Sequence, residues 1–358
     1  MENTKSNWKQ IVRKYSTPDP VKSWWQVINT LGSFVFLWWL AYKALDISIY
    51  LAIFISLVNQ IFNIRTFIIL HDCGHGSFFK SKKLRTLIGT ICGVLTFTPY
   101  KQWTREHAGH HQTSGNLDKR GLGDVWTITT AEYSEMSPLA KLGYHAFRFP
   151  LVNFVIGPFY IFQIRFRFKQ HFDGPEEDRN RYLTNFLIAA IITTLCLTLG
   201  WKTFLIVHLP IVLLSNTIGT WLFFVQHQYE DAYWRKNDEW DYFDASIKGS
   251  SFLKLPKFFQ WSTGNIGIHH IHHLSHQIPN YYLGQAYEEN ELFQDCKVLG
   301  FWESFKGIWL KLWDENTQEL ISFGEYYRRY GVKSNVWFKR AYEAILPWLK
   351  NSNLASDQ

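Results

Sequence analysis

The chain has 358 residues, 47% of them hydrophobic and 18% aromatic, with 17 Trp and a formal net charge of +7. That apolar content excludes a disordered chain, and with no basic stretch interleaved with aromatics the positive charge points to anionic lipid headgroups rather than nucleic acid. A mean hydropathy of −0.16 excludes a chain made of membrane spans alone and leaves spans joined to a large polar cap.

Residues 1–23 are polar, contain Pro18 and Pro20, and read as a cytosolic lead-in without a cleavable signal peptide. Residues 24–44 are the first apolar segment, long enough for a bilayer core. Asp46 and Ser48 mark a turn, and residues 47–70 are the second segment. Its latter half carries Asn59, Gln60, Asn63 and Arg65. Lipid does not tolerate these groups, so that half is expected to be buried against protein. Run as one helix from 47 to 75, the segment measures roughly 43 Å, longer than a hydrocarbon core of about 30 Å. His71 and His75 then project just beyond the membrane.

Lys80, Lys82, Lys83 and Arg85 follow at once and place this side in the cytosol. Residues 87–99 are apolar but too short to span, and are expected to dip into the interface. The turn-rich stretch after the second histidine cluster holds Asn116, Asp118 and Asp124. These are candidates to orient imidazoles, although ordinary turn chemistry explains each of them as well. Residues 150–168 are long and apolar enough to span. Yet Arg148 precedes them, Arg165, Arg167 and Lys169 end them, and Gly157-Pro158 interrupts them. A surface-lying or re-entrant segment is expected. Parity agrees, since a span here would send the third histidine cluster to the opposite compartment from the first two.

Residues 174–181 read as a charged linker. Residues 182–199 and 203–225 are the third and fourth spans, joined by Gly200-Trp201-Lys202, so the four spans form two hairpins. The fourth leads into His227. Residues 230–257 read as a polar and aromatic cytosolic loop. Further on, Phe301, Phe305, Ile308, Trp309, Leu312 and Trp313 recur at helical spacing and predict an amphipathic helix, packed on the cap or on the membrane surface. Residues 351–358 read as a disordered tail. Cys73, Cys92, Cys196 and Cys296 include no C-x-x-C pair, and two of them lie in apolar runs, which argues against a disulfide framework.

The chemistry lies in the fourteen histidines, which concentrate in three clusters. His71 and His75 are i and i+4. His107, His110 and His111 are i, i+3 and i+4, and His269, His272 and His273 repeat that spacing. On helices, each set shares a face. Neutral imidazole is a good ligand for iron, zinc and copper. One cluster cannot fill an octahedral metal, whereas the eight imidazoles nearly fill two. A solvated or interfacial histidine patch explains one such pair as readily as a metal does, but not three. His270 points about 100° away from His269 and is expected to be a non-ligand. His276 shares the face of His269 about 10.5 Å further along and is expected beside the ligand set.

The order H-x-x-x-H, H-x-x-H-H, H-x-x-H-H between hydrophobic spans resembles the membrane fatty-acid desaturases. The context resembles their bacterial omega-6 (delta-12) branch: residues 71–79 (HDCGHGSFF), 96–100 (TFTPY), 107–118 (HAGHHQTSGNLD), 123–130 (GDVWTITT), and 265–274 with Ile278-Pro279-Asn280. The resemblance covers residues 35–290. It implies an all-α integral membrane fold, one domain over 1–358, with four transmembrane helices in two hairpins and a cytosolic helical cap (71–181 and 226–350) holding a di-metal site. It implies two ferrous ions with O2 as co-substrate, and as metal ligands His71, His75, His107, His110, His111, His227, His269, His272 and His273. His227 enters this set through the resemblance; alone, a histidine at a span end reads as interfacial.

The implied reaction inserts a second double bond in a monounsaturated fatty acyl group, in a bacterial inner membrane with the site facing the cytosol. The chain has no haem motif, no Fe–S cysteine run and no G-x-G-x-x-G. The electrons are therefore expected from a partner such as ferredoxin or a b-type cytochrome. Two other readings stay open at this point: a di-iron hydroxylase or ketolase of a lipid or carotenoid on the same scaffold, and a metal transporter or sensor. Against the transporter, the histidines gather at span ends rather than along a pathway.

Overall fold

A computed structural model describes residues 7–121 and 123–331. The expected tail at 351–358 and the last part of the expected cap lie outside the described residues. Helix α1 (Trp8–Arg13) leads into α2 (Pro20–Ala44), whose N-terminus is set by Pro20 and by the Asp19 carboxylate, which accepts from the Val21 and Lys22 amides. Helix α3 (Ile49–His75) starts at a Ser48 cap and ends at Gly76, whose φ of 81° only glycine adopts cheaply. Its length is about 40 Å at helical rise, as the sequence requires. Asn59, Gln60, Asn63 and Arg65 are all buried. Asn59 donates to the Phe34 carbonyl of α2 at 3.0 Å, and Asn63 to the Ser215 hydroxyl at 2.7 Å.

Helix α4 (Lys82–Leu95) descends beside α3, and α5 (Tyr100–Thr113) climbs back. The reversal between them is tight: a Cβ on Gly93 would stand 2.3 Å from the Thr98 carbonyl oxygen. The Tyr100 hydroxyl donates to the Cys73 carbonyl at 2.9 Å and sets α5 against the end of α3. Then come α6 (Thr130–Glu135) and α7 (Pro138–Phe147), and a segment from Val152 to Arg167 bent 61° from α7. The bend falls at Phe149-Pro150, where proline restricts the residue before it. Gly157-Pro158 does not break the segment; it is flanked by two π turns, Val152–Ile156 and Tyr160–Ile164.

Helices α8 (Pro175–Leu199) and α9 (Trp201–His227) form the next hairpin. The expected linker at 174–181 is instead the opening of α8. Its acids Glu176, Glu177 and Asp178 fill the first turn, where they favour the helix N-terminus, and Glu177 caps the Gly174 amide at 2.9 Å. Among the described residues, three helices are long and apolar enough to cross a membrane: α3, α8 and α9. A fourth passes only if the bent pair of α7 and Val152–Arg167 counts as one span. The expected first span is a helix of the right length, α2, but does not meet that measure. Its apolar face is rich in Trp, which hydropathy scores poorly.

The remaining elements are α10 (Tyr242–Lys248), α11 (Lys257–Ser262), α12 (His269–Leu274), α13 (Asn280–Glu289) and α14 (Phe301–Ser304). The all-α expectation needs correction. Two small sheets tie the polar part together. Strands β1 (Ile128–Thr129), β4 (Leu312–Asp314) and β5 (Glu319–Ile321) pair in the order β1-β4-β5, and β2 (Phe252–Lys254) pairs in parallel with β3 (Val298–Gly300). The amphipathic helix expected over 301–313 is not one element. After α14, a 3-10 turn (Lys306–Trp309) leads into β4. Pairing with β1 and β5 buries Leu312 and Trp313, which overrides the helical spacing. Phe224, Val225, Trp234, Leu253, Leu299 and Trp313 share one apolar cluster, so this core sits directly behind the end of α9.

Candidate metal centre

Four helices deliver the histidines to one place. The last two turns of α3 carry His71 and His75, α5 carries His107, His110 and His111, α9 ends in His227, and α12 carries His269, His272 and His273. All nine expected residues come together, in two groups. His71, His75, His107, His111 and His272 form the first, and His110, His227, His269 and His273 the second. Within each group the nitrogens offered lie within 4.8 Å of one another. Each H-x-x-H-H serves both groups. On α5 the i, i+4 pair His107 and His111 enters the first and His110 the second. On α12 the i, i+4 pair His269 and His273 enters the second and His272 the first. Neighbouring helical residues diverge by about 100°, which is what lets one turn feed two centres.

Outer partners set the tautomers, as judged from the acceptors they meet. His71 Nδ1 lies 2.8 Å from Asp72 Oδ1, and His110 Nδ1 lies 2.5 Å from Asp124 Oδ1. His227 Nδ1 lies 3.2 Å from the Gly249 carbonyl. An ionised carboxylate and a carbonyl only accept, so each of these Nδ1 atoms carries the proton and each Nε2 presents a lone pair. Yet His110 Nε2 and His227 Nε2 stand 3.2 Å apart. Two lone pairs at that range repel, and a cation between them turns the repulsion into attraction. Spacings in the rest of the site are alike: His71 to His272 is 3.1 Å, His272 to His111 is 3.0 Å and His227 to His269 is 3.0 Å, all between Nε2 atoms. Two nitrogens bound at right angles to one metal at about 2.1 Å would be about 3.0 Å apart. His75 Nε2 and His273 Nε2 are buried with no hydrogen-bond partner among the described residues. The donor set therefore fits two imidazole-bound metals.

Burial pushes the imidazoles of His107, His111, His269, His272 and His273 well below their ordinary value, and neighbouring imidazoles push the same way. They are neutral at pH 7, the form that binds metal.

His270 turns away from both groups, with Nε2 2.8 Å from the Phe293 carbonyl. His276 stands at the rim, its ring 5.0 Å from that of His75. Of the three polar groups flagged after the second cluster, only Asp124 reaches a histidine. Asn116 donates to Asn237 Oδ1 at 3.0 Å and Asp118 accepts from the Asn237 amide at 2.8 Å, so these two close a loop. Sequence reasoning missed Asp72 and Asn280. Asp72 Oδ2 accepts from the Asn280 amide at 2.7 Å and from its Nδ2 at 2.8 Å, so the carboxylate that orients His71 is itself fixed. The signal was present, an acid beside a ligand and an Asn in the quoted Ile278-Pro279-Asn280. Trp103 was also missed. Its ring stacks on His107 at 4.5 Å and lies 5.6 Å from His71, and Phe67 closes behind it at 5.1 Å, an aromatic wall along the first group.

Comparison with known proteins agrees with this geometry. The family model described as fatty acid desaturase matches residues 47–304. A fatty acid desaturase of Bacillus subtilis is 44% identical over 312 residues, 87% of this chain and 89% of that protein. An sn-1 oleoyl-lipid 12-desaturase of Picosynechococcus is 26% identical over 74% of this chain and 77% of its own length. An sn-1 acyl-lipid omega-3 desaturase (ferredoxin) of Synechocystis is 29% identical over 62% of each chain.

Proposed function

The chain belongs to the fatty acid desaturase family, which are oxidoreductases, and from that premise we propose that it uses two irons and O2 to desaturate a membrane acyl chain, placing a delta-12 (omega-6) double bond in a monounsaturated chain. The observation that carries the two-metal reading is that the nine histidines fall into two separate groups, the nitrogens of each within 4.8 Å of one another. The nine histidines named above are the ligands. Iron is favoured over zinc because O2 chemistry needs a redox metal that accepts imidazole. When bound, two irons side by side supply the paired reduction of O2 that removal of two methylene hydrogens demands. The balance is R–CH2–CH2–R′ plus O2, two electrons and two protons giving R–CH=CH–R′ and two waters. The residues of the chain hold that chemistry in place. Asp72 and Asp124 keep the protons of His71 and His110 on Nδ1, so both Nε2 atoms stay available. Trp103 and Phe67 keep the flank of the first group apolar and dry.

The electrons come from a partner, ferredoxin or a b-type cytochrome. The ferredoxin in the name of the Synechocystis relative supports the former. The names of two relatives, one an sn-1 acyl-lipid and the other an sn-1 oleoyl-lipid desaturase, support a glycerolipid-borne substrate. The delta-12 position is supported by the motif context and by the 12-desaturase relative. A host lacking polyunsaturated lipids, fed oleate and supplied with ferredoxin and its reductase, is expected to accumulate linoleate when it makes this chain. Conversion of stearate alone would move the position to delta-9, and hydroxy-oleate as main product would move the chemistry to hydroxylation. An unchanged lipid profile with iron bound would end the desaturase reading.

We place the site on the cytosolic side of a bacterial inner membrane, with four spans, α2, α3, α8 and α9, and a single domain. Lys80, Lys82, Lys83 and Arg85, directly after the first cluster, support that side. Trp25, Ile28, Val35 and Phe36 point outward from α2 while its other face packs on α3, which supports counting it as a span. Cysteine labelling tests this. A site at Lys202 should react from outside, and sites at Arg120 and Lys248 from inside only. External reaction at Lys248 would mean that Val152–Arg167 crosses the membrane.

A further inference from the structure

We propose that α11 and α14 form an interfacial foot, an aromatic edge of the cap seated in the headgroup region of the bilayer and flanked by lysines that meet anionic lipid. Parallel pairing of β2 with β3, from Phe252↔Val298 to Lys254↔Gly300, sets the two segments side by side. Helix α11 follows β2, and α14 follows β3. From this edge Phe258, Phe259 and Trp261 project on one side and Phe301, Trp302 and Phe305 on the other, all exposed, with Trp302 at 80%. Within each side the rings touch, Phe258 with Trp261 at 6.0 Å and Phe301 with Trp302 at 5.0 Å. A water-facing surface rarely carries two exposed aromatic clusters on neighbouring paired segments.

The occupant follows from what the patch adjoins. Trp221 of α9 lies 5.9 Å from Phe301 and 5.6 Å from Phe305, ring to ring. Arg65 of α3 donates to the Trp261 carbonyl and lies 4.2 Å over its ring, with Phe62 at 6.1 Å. The foot is thus continuous with two apolar helices. Its height is set by helical rise. Trp221 stands about 30 Å along α9 from Trp201, and Arg65 about 24 Å along α3 from Ile49. A hydrocarbon core is about 30 Å thick, so these contacts fall at its cytosolic boundary, where Trp is favoured. Lys254, Lys257 and Lys306 are exposed around the patch, against Glu303 on α14. That balance favours anionic headgroups.

The foot is coupled to the metal groups through the backbone. The chain runs from Ser262 at the end of α11 to His269 in seven residues. Gly307, just after α14, lies so close to the residue following His227 that a Cβ there would stand 2.2 Å from the Gln228 carbonyl oxygen. Seating the foot therefore fixes the height of both groups above the lipid. The inference rests on the membrane reading above but needs no turnover, so it can fail while the enzyme reading stands.

The test is photocrosslinking of the full chain in vesicles of mixed phosphatidylglycerol and phosphatidylcholine. The residues Trp302 and Phe258 are replaced, one at a time, by p-benzoylphenylalanine. Phe186, exposed on α8, serves as the bilayer reference, and Lys236, exposed on the cap, as the aqueous one. Lipid adducts at 302 and 258 several-fold above those at 236 are expected, with the phosphatidylglycerol share falling when Lys254, Lys257 and Lys306 are all changed to Gln. Adducts with a second copy of the chain, or yields no higher than at 236 while 186 reacts with lipid, would overturn the foot. Failure at 186 as well would remove the membrane reading on which it rests.

Discussion

His272→Ala or His111→Ala is expected to abolish desaturation and empty the first histidine group, while His270→Ala keeps bound iron and most activity. The three differ by register, not burial, since all are buried. His272 Nε2 stands 3.0 Å from His111 Nε2 and 3.1 Å from His71 Nε2, so either loss removes a donor from the centre of the group. Changes outside a ligand set typically cost about 10–100-fold in metal affinity, and removal of a ligand should exceed that range. His270 bonds the Phe293 carbonyl instead. Its loss strands a buried acceptor, at a cost of about 1–3 kcal/mol in stability. Iron per chain and product formation are measured together with the melting temperature. His272→Gln, which keeps volume and a polar end, separates ligand loss from collapse of the site. Equal iron in the His270 and His272 variants would mean that the assigned register of α12 is wrong.

The sequence is most legible where one chemical need repeats at one spacing. Imidazoles at i and i+4, twice with one at i+3 as well, gave eight of the nine members of the two groups and set His270 apart by angle; His227, the ninth, entered only through the family resemblance. Buried Asn59, Asn63 and Arg65 were legible for the same kind of reason, because lipid penalises them wherever they stand. What was lost depends on contacts made far along the chain. Strands of two or three residues, such as Ile128–Thr129, have no period to read, and Trp313 looked helical until β1 and β5 paired on either side of it. The acids at 176–178 resembled a linker because charge density marks both loops and helix N-termini. The division of each H-x-x-H-H between two groups, and the bond from Asn280 to Asp72, are three-dimensional facts that spacing does not encode.

Those outer carboxylates lead to the other large effect. Each group has one aspartate fixing one histidine: Asp72 for His71 in the first and Asp124 for His110 in the second. Asp124→Asn removes the charge that keeps the His110 proton on Nδ1, and its amide end can instead donate to that nitrogen. The other tautomer then becomes available, with its proton on Nε2 pointing into the group. Affinity at the second group is expected to fall about 10–100-fold, the usual cost of losing an outer partner, with the first group unchanged. Asp72→Asn should weaken the first group by a similar factor and also lower the melting temperature. Asp72 Oδ2 holds both the Asn280 amide and its side chain, and an amide nitrogen in that place would leave buried donors facing each other. Chelator titration of the iron-loaded protein reads the two effects separately. Asp124→Asn should release one iron early and keep the other, and Asp72→Asn should do so with a less stable protein. Release of both irons together in both variants, or of neither, would refute the assignment of one aspartate to each group.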